Sequence, residues 1–214
     1  MRLGRKRRTN YNGVIHVRSL ETVVQNWRLL FLFLMFAAGM ACGALIIKNG
    51  DSFLTSKLVE VFESYHTIRS GQSIAATFGN TLFASTLFIL FGYIFGLCAV
   101  GIPIISALPF LKGLGLGMVT GWLYSTFALK GLAYSLLIIY PGSLVAVLAL
   151  LLGCNESLIT SYDMFLSINN RSDKADGGGI RLYNARFIVF ILITTAGALL
   201  ETVFSKAFTS FFKF

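Results

Sequence analysis

The sequence predicts an all-α polytopic membrane protein with five transmembrane helices, its N-terminus inside and its C-terminus outside. Three observations lead there. Charged residues make up 13% of the 214 positions and hydrophobic ones 56%, against about 25% charged in an ordinary soluble domain, and mean hydropathy is +0.75. Uncharged apolar runs of near-spanning length use most of the chain, leaving no continuous segment for a separate soluble core. Seven of the 18 basic residues fall within the first 28 positions, directly before the first such run, where they act as a topology signal. That placement assigns the net charge of +9 to orientation and to anionic lipid headgroups, and argues against nucleic acid.

Residues 1–28 form a basic cytoplasmic tail. The first span, residues 29–47, follows Trp27 and Arg28 and is long enough to cross about 30 Å of hydrocarbon at about 1.5 Å per residue. It reads as an uncleaved signal anchor: the basic region before it is too long for a signal peptide, and Gly39-Met40-Ala41-Cys42 departs from a lipoprotein box at Gly39. The outer loop, residues 48–77, places Leu54, Leu58, Val61, Phe62 and Tyr65 on one helical face and Lys57, Glu60 and Glu63 on the other. This is a short interfacial amphipathic helix, able to rest on headgroups or to contact an extracytoplasmic partner.

The second span, residues 78–102, closes at Pro103 and Pro109, read as a turn before Lys112. The third, residues 113–129, stops at Lys130; the fourth, residues 132–154, contains Pro141, which in a membrane helix is more often a kink than a stop. An inner loop, residues 155–186, carries a second apolar pattern at Leu158, Ile159, Tyr162, Phe165 and Leu166, then a polar tether ending in Gly177-Gly178-Gly179. That tether lacks the GxxxxGK[ST] pattern of a nucleotide loop. The fifth span, residues 187–204, leaves residues 205–214 as a short outer tail. Residues 29–204 thus make a single five-helix membrane domain. With the N-terminus inside, twelve Lys and Arg lie inside and six outside, in keeping with the positive-inside rule.

Glycine carries most of the information within the spans. Gly39 and Gly43 are four apart, as are Gly92 and Gly96, and Gly113, Gly117 and Gly121 extend that spacing over two periods. Each series gives its helix a flat strip for close backbone approach, either to another helix of the chain or to a partner. Glu201 is the single acidic residue inside a span; a carboxylate at that depth faces protein or water, which makes it a candidate partner contact or transport group. Cys42, Cys98 and Cys154 are isolated and read as packing residues, and His16 and His66 are isolated too, so no metal site is expected. No catalytic group is expected either, since GxSxG, HExxH and paired His/Asp clusters are missing. The reading calls for no cofactor.

Phe91-Gly92-Tyr93-Ile94-Phe95-Gly96, Gly101-Ile102-Pro103, Phe110-Leu111-Lys112-Gly113-Leu114-Gly115-Leu116-Gly117 with Gly121, and Tyr140-Pro141 in the next span together resemble the stage II sporulation protein M family. The likeness in length and layout covers nearly the whole chain. Where that family often has an amide-bearing residue after the span-four proline, this chain has Gly142 and Ser143. The resemblance implies a non-enzymatic membrane scaffold of an endospore-forming bacterium. It would assemble with the peptidoglycan-degrading sporulation proteins D and P in the cytoplasmic membrane of the mother cell, at the septum and the engulfing membrane. The consequence is septal wall thinning and membrane migration during engulfment. The competing class is a membrane subunit of a small-solute transporter or permease, which requires a midplane cavity near Pro141 and Gly142 with Glu201 facing it.

Overall fold

The computed structural model describes residues 11–49, 74–170 and 177–209, with side chains described for 27–49, 75–166, 180–205 and 207. These residues form helices α1 (Tyr11–Asn49), α2 (Ile74–Gly96), α3 (Ile102–Tyr134), α4 (Tyr140–Asn170) and α5 (Gly177–Thr209), with a π-helical turn, Ser135–Ile139, between α3 and α4. No strand occurs among them. Among the described residues, four stretches are long and apolar enough to cross a membrane: Trp27–Asn49, Ala75–Gly96, Ile102–Leu166 and Ile180–Ser205. Their outward faces carry large apolar side chains, Phe83 at 70%, Leu148 at 59% and Leu192 at 63% exposure, the arrangement of a surface solvated by lipid tails.

The third stretch runs for 65 residues, which as one rod would measure about 100 Å, some three times the hydrocarbon thickness. It does not run straight. Ala128 leaves helical geometry with φ 49° and ψ −129°, and beyond it the chain folds back on itself. The Thr120 and Tyr140 hydroxyl oxygens lie 3.4 Å apart, whereas twenty residues of continuous helix would separate them by about 30 Å. Gly131 is pressed against the backbone of Leu123, where a Cβ would stand 2.6 Å from the carbonyl carbon.

Both prolines read as a turn lie inside α3. The chain turns earlier, at residues 97–101, after α2 ends at Gly96; the span expected over residues 78–102 is shorter, and the helix expected from residue 113 begins at Ile102. Pro103 sits in the first two positions of α3, just after the N-cap Gly101, where a missing N–H leaves no bond unmade. Pro109 follows within the helix and is fully buried. The shift moves Lys112 from an inner loop into the body of α3. At Pro141 the ladder adjusts upstream: the Tyr140 N–H bonds the Ser135 carbonyl five residues back. One extra residue in the turn accommodates the ring and the missing N–H.

Tertiary contacts are dominated by α1 on α3, then α4 on α5, with α2 lying across α4 and α5. Two buried clusters result. The larger brings Leu32 and Phe36 of α1, Ile89 of α2, Ile105 and Leu108 of α3, Leu150 and Cys154 of α4, and Tyr183, Phe187 and Phe190 of α5 together. The smaller joins Ile47, Trp122, Leu123, Tyr134 and Ile138 near the chain reversal.

Candidate functional site: a glycine seam and a hydroxyl-capped helix end

Lipid tails are as apolar as leucine, so helices in a membrane associate through close packing and hydrogen bonds, with little hydrophobic drive. The α1–α3 contact supplies the packing. A Cβ on Gly39 would stand 2.9 Å from the Phe110 carbonyl carbon, and one on Gly43 2.9 Å from the Met118 nitrogen. From the other side, Gly113 meets the backbone of Phe36 and Met40, and Gly117 that of Met40 with its Cα at 2.9 Å. Two of the glycine series therefore face each other, and each obstacle is main chain. Gly121 is looser: a Cβ there would stand 3.2 Å from the Ala44 Cα.

The Gly92–Gly96 series faces α4 and α5 instead. Gly92 has ordinary contacts with Leu108 and Ser157, while a Cβ on Gly96 would stand 2.9 Å from the Ser157 side chain and collide with the Tyr183 hydroxyl. That close approach lets hydroxyls cap the end of α2. Ser157 Oγ donates to the Gly92 carbonyl at 2.8 Å, Tyr183 Oη to the Tyr93 carbonyl at 3.0 Å, and Ser161 Oγ to the Cys98 carbonyl at 2.7 Å. The last carbonyls of a helix lack a partner in their own helix, which suits the bond to Tyr93; Cys98 lies in the turn beyond α2 and also accepts from the Gly101 N–H at 3.0 Å. Tyr93 Oη donates to Asn184 Oδ1 at 2.9 Å, the Tyr93 and Tyr183 rings stack at 5.4 Å, and Arg186 pairs with Glu156 close by.

A third contact escaped the sequence reading. A Cβ on Gly142 would lie 2.8 Å from the Glu201 nitrogen and would collide with the Glu201 side chain, and in return a Cβ on Gly197 would stand 3.0 Å from the Gly142 carbonyl oxygen. Glu201, the candidate partner contact or transport group, is 8% exposed and packs against Gly142 of α4 in its own chain. Lys112 holds its Nζ 5.2 Å from the centre of the Phe88 ring.

The expected partner face at Leu54, Leu58, Val61, Phe62 and Tyr65 lies outside the described residues, as do His66, the side chain of His16 and the basic residues at positions 2–8. Of the three cysteines, Cys154 is packed in the core, while Cys42 and Cys98 are exposed, so the packing role fits Cys154 alone. Among the described residues no group of three His, Cys, Asp or Glu side chains is placed to hold a metal.

The profile of stage II sporulation protein M matches residues 32–206. The chain belongs to that family. As a stage II sporulation protein M family member it is a sporulation-related membrane protein, and the matched region contains the glycine seam, the capped end of α2 and the Gly142–Glu201 contact. Comparison with curated proteins gave no significant match, and neither did comparison with solved structures.

Proposed function

We propose that this protein is a non-enzymatic scaffold of the bacterial cytoplasmic membrane, crossing it five times with the N-terminus inside and the C-terminus outside. It gathers the peptidoglycan-degrading sporulation proteins D and P at the septum and the engulfing membrane of the mother cell, so that septal wall is thinned and the membrane migrates. The family match over residues 32–206 is the observation that carries this reading.

The geometry supports it in two ways. The reversal at Ala128 divides the longest apolar stretch into two arms, as a five-crossing arrangement requires. The seam and the capped helix end give a bundle closed by backbone contact and hydroxyl-to-carbonyl hydrogen bonds, a property suited to a hub that holds other proteins in place. Affinity purification of the full-length protein from sporulating cells, with cross-linking and mass spectrometry, is the test. Recovery of both wall-degrading proteins is expected; their absence from cross-linked complexes in cells that are engulfing would overturn the reading.

A further inference from the structure

Lys112 lies in the body of α3, and the glycine seam fixes its depth. A Cβ on Gly39 of α1 would meet Phe110 and Leu114, the residues on either side of it, so Lys112 stands level with Gly39. Arg28 and Lys48 bound the apolar run of α1, about 16 Å away on one side of that level and about 14 Å on the other. The ammonium is thus held near the middle of the hydrocarbon, too deep for the lysine stem to carry it to either headgroup layer. It lies 5.2 Å from the centre of the Phe88 ring of α2, and a ring face offsets only part of the cost of a cation at that depth.

The same part of α3 diverges from α2. Leu108, Lys112 and Gly115 share one helical face. At Leu108 the two helices touch, since a Cβ on Gly92 would stand 3.7 Å from Leu108 Cδ1. One turn on, the long side chain of Lys112 spans the gap to Phe88, and at Gly115 nothing lies within 4 Å of where a Cβ would be. The result is a groove between α2 and α3 that opens away from Gly92, with Lys112, partly exposed, at its closed end and bare backbone at Gly115 in its open part.

Depth and charge define what fits there. A lipid phosphate sits at the headgroups, whereas a carboxylate carried on a transmembrane helix can stand level with Lys112. Among the described residues, a second copy inserted the same way round offers none: Glu201 is buried within its own chain, and Glu156 and Asp163 are displaced toward the far end of α4. Measured from the Thr120–Tyr140 contact, they lie about 12 Å and about 22 Å further along the bundle than Lys112. We propose that the α2–α3 groove receives a transmembrane helix of another membrane protein, which sets an Asp or Glu against Lys112 and passes its backbone over Gly115. The ion pair supplies attraction where apolar contact gives little, and the open glycine lets the helices approach closely. The inference rests on the scaffold reading and adds where one of the held proteins docks.

The test places a photo-crosslinking side chain in the full-length protein in sporulating cells, in place of Gly115 or, as a control, of Leu148, which is 59% exposed on α4. An adduct at position 115 and none at 148 is expected, with the cross-linked peptide in a membrane span that contains Asp or Glu. Lys112→Met should reduce that adduct about tenfold, and Lys112→Arg should retain it. Because Lys112→Met can fail to insert, the partner's carboxylate is also changed to its amide, which should give the same loss with this chain unaltered. The proposal is overturned by no adduct at position 115, by an equal adduct at 148, by an adduct with a second copy or with a span lacking a carboxylate, or by an adduct insensitive to the amide change. If proteins D and P co-purify while position 115 captures nothing, the groove fails and the scaffold reading stands. If position 115 captures a different carboxylate-bearing span and D and P are absent, the groove stands and the scaffold reading falls.

Discussion

Gly117 of α3 stands so close to Met40 of α1 that a methyl group in its place would lie 2.8 Å from the Met40 carbonyl carbon. The obstacle is backbone, which cannot rotate aside as a side chain can. Gly117→Ala should therefore wedge the two helices apart and lower stability by about 1–3 kcal/mol, seen as a reduced thermal midpoint of the detergent-solubilised protein. Gly115→Ala is the matched control, since nothing lies within 4 Å of that position; it should change stability by less than about 0.5 kcal/mol.

Ala128 adopts φ 49° and ψ −129°, a backbone that glycine tolerates and an L side chain resists. Ala128→Gly is expected to raise stability by about 1 kcal/mol, and Ala128→Val to lower it. Thermal unfolding of the two variants side by side measures the sign.

The hydroxyl caps at the end of α2 make a separate prediction. Ser161→Ala leaves the Cys98 carbonyl with the Gly101 N–H alone, and Tyr183→Phe removes the donor to the Tyr93 carbonyl. Tyr183→Phe should cost about 1–3 kcal/mol, the range for a buried acceptor that loses its partner, and Ser161→Ala less, about 0.5–1.5 kcal/mol, because the Cys98 carbonyl keeps the Gly101 N–H. Amide hydrogen exchange should rise first in the final turn of α2 and in residues 97–101, with the α1–α3 seam unchanged; uniform loss of protection along the chain would contradict a local capping role.

Cysteine labelling tests orientation. Cys98 is exposed in the turn between α2 and α3, and Cys154 is buried. With Cys98 as the sole cysteine, a membrane-permeable maleimide should label intact cells and an impermeant one should not until the membrane is opened. With Cys154 alone, labelling should require denaturation. Reaction of Cys98 with the impermeant reagent in intact cells would exclude the N-in arrangement.

The first stretch was legible because charge bounds its apolar run: residues 29–47, between Arg28 and Lys48, lie within Trp27–Asn49. The second boundary was not. Proline stops an ordinary helix interior, yet Pro103 falls in the first turn of α3, where its missing N–H is harmless, so a residue type that suggests a stop marked a start. Lys112 misled in the same way, because a lone charge in an apolar run suggests a loop, yet it lies inside α3 with its ammonium over the Phe88 ring of α2. The four-residue glycine spacing was visible, but which strips meet was not: Gly39 and Gly43 face Gly113 and Gly117, while Gly96 faces a serine and a tyrosine. A signal for that second surface was present in Gly153, Ser157 and Ser161, small residues at the same spacing whose hydroxyls became the caps.

The π-helical turn Ser135–Ile139 sets the phase of everything after it. It holds one residue more than an α-helical turn needs, so deleting any one of the five would let the ladder relax into a regular helix. All of α4 would then rotate by about 100° relative to the reversal at Ala128. Gly142 would swing away from Gly197 and Glu201, and Ser157 and Ser161 away from the end of α2. A deletion here, at a place with no chemistry of its own, should thus disturb two distant contacts at once. The length of this turn is under tighter constraint than the identity of the side chains it carries.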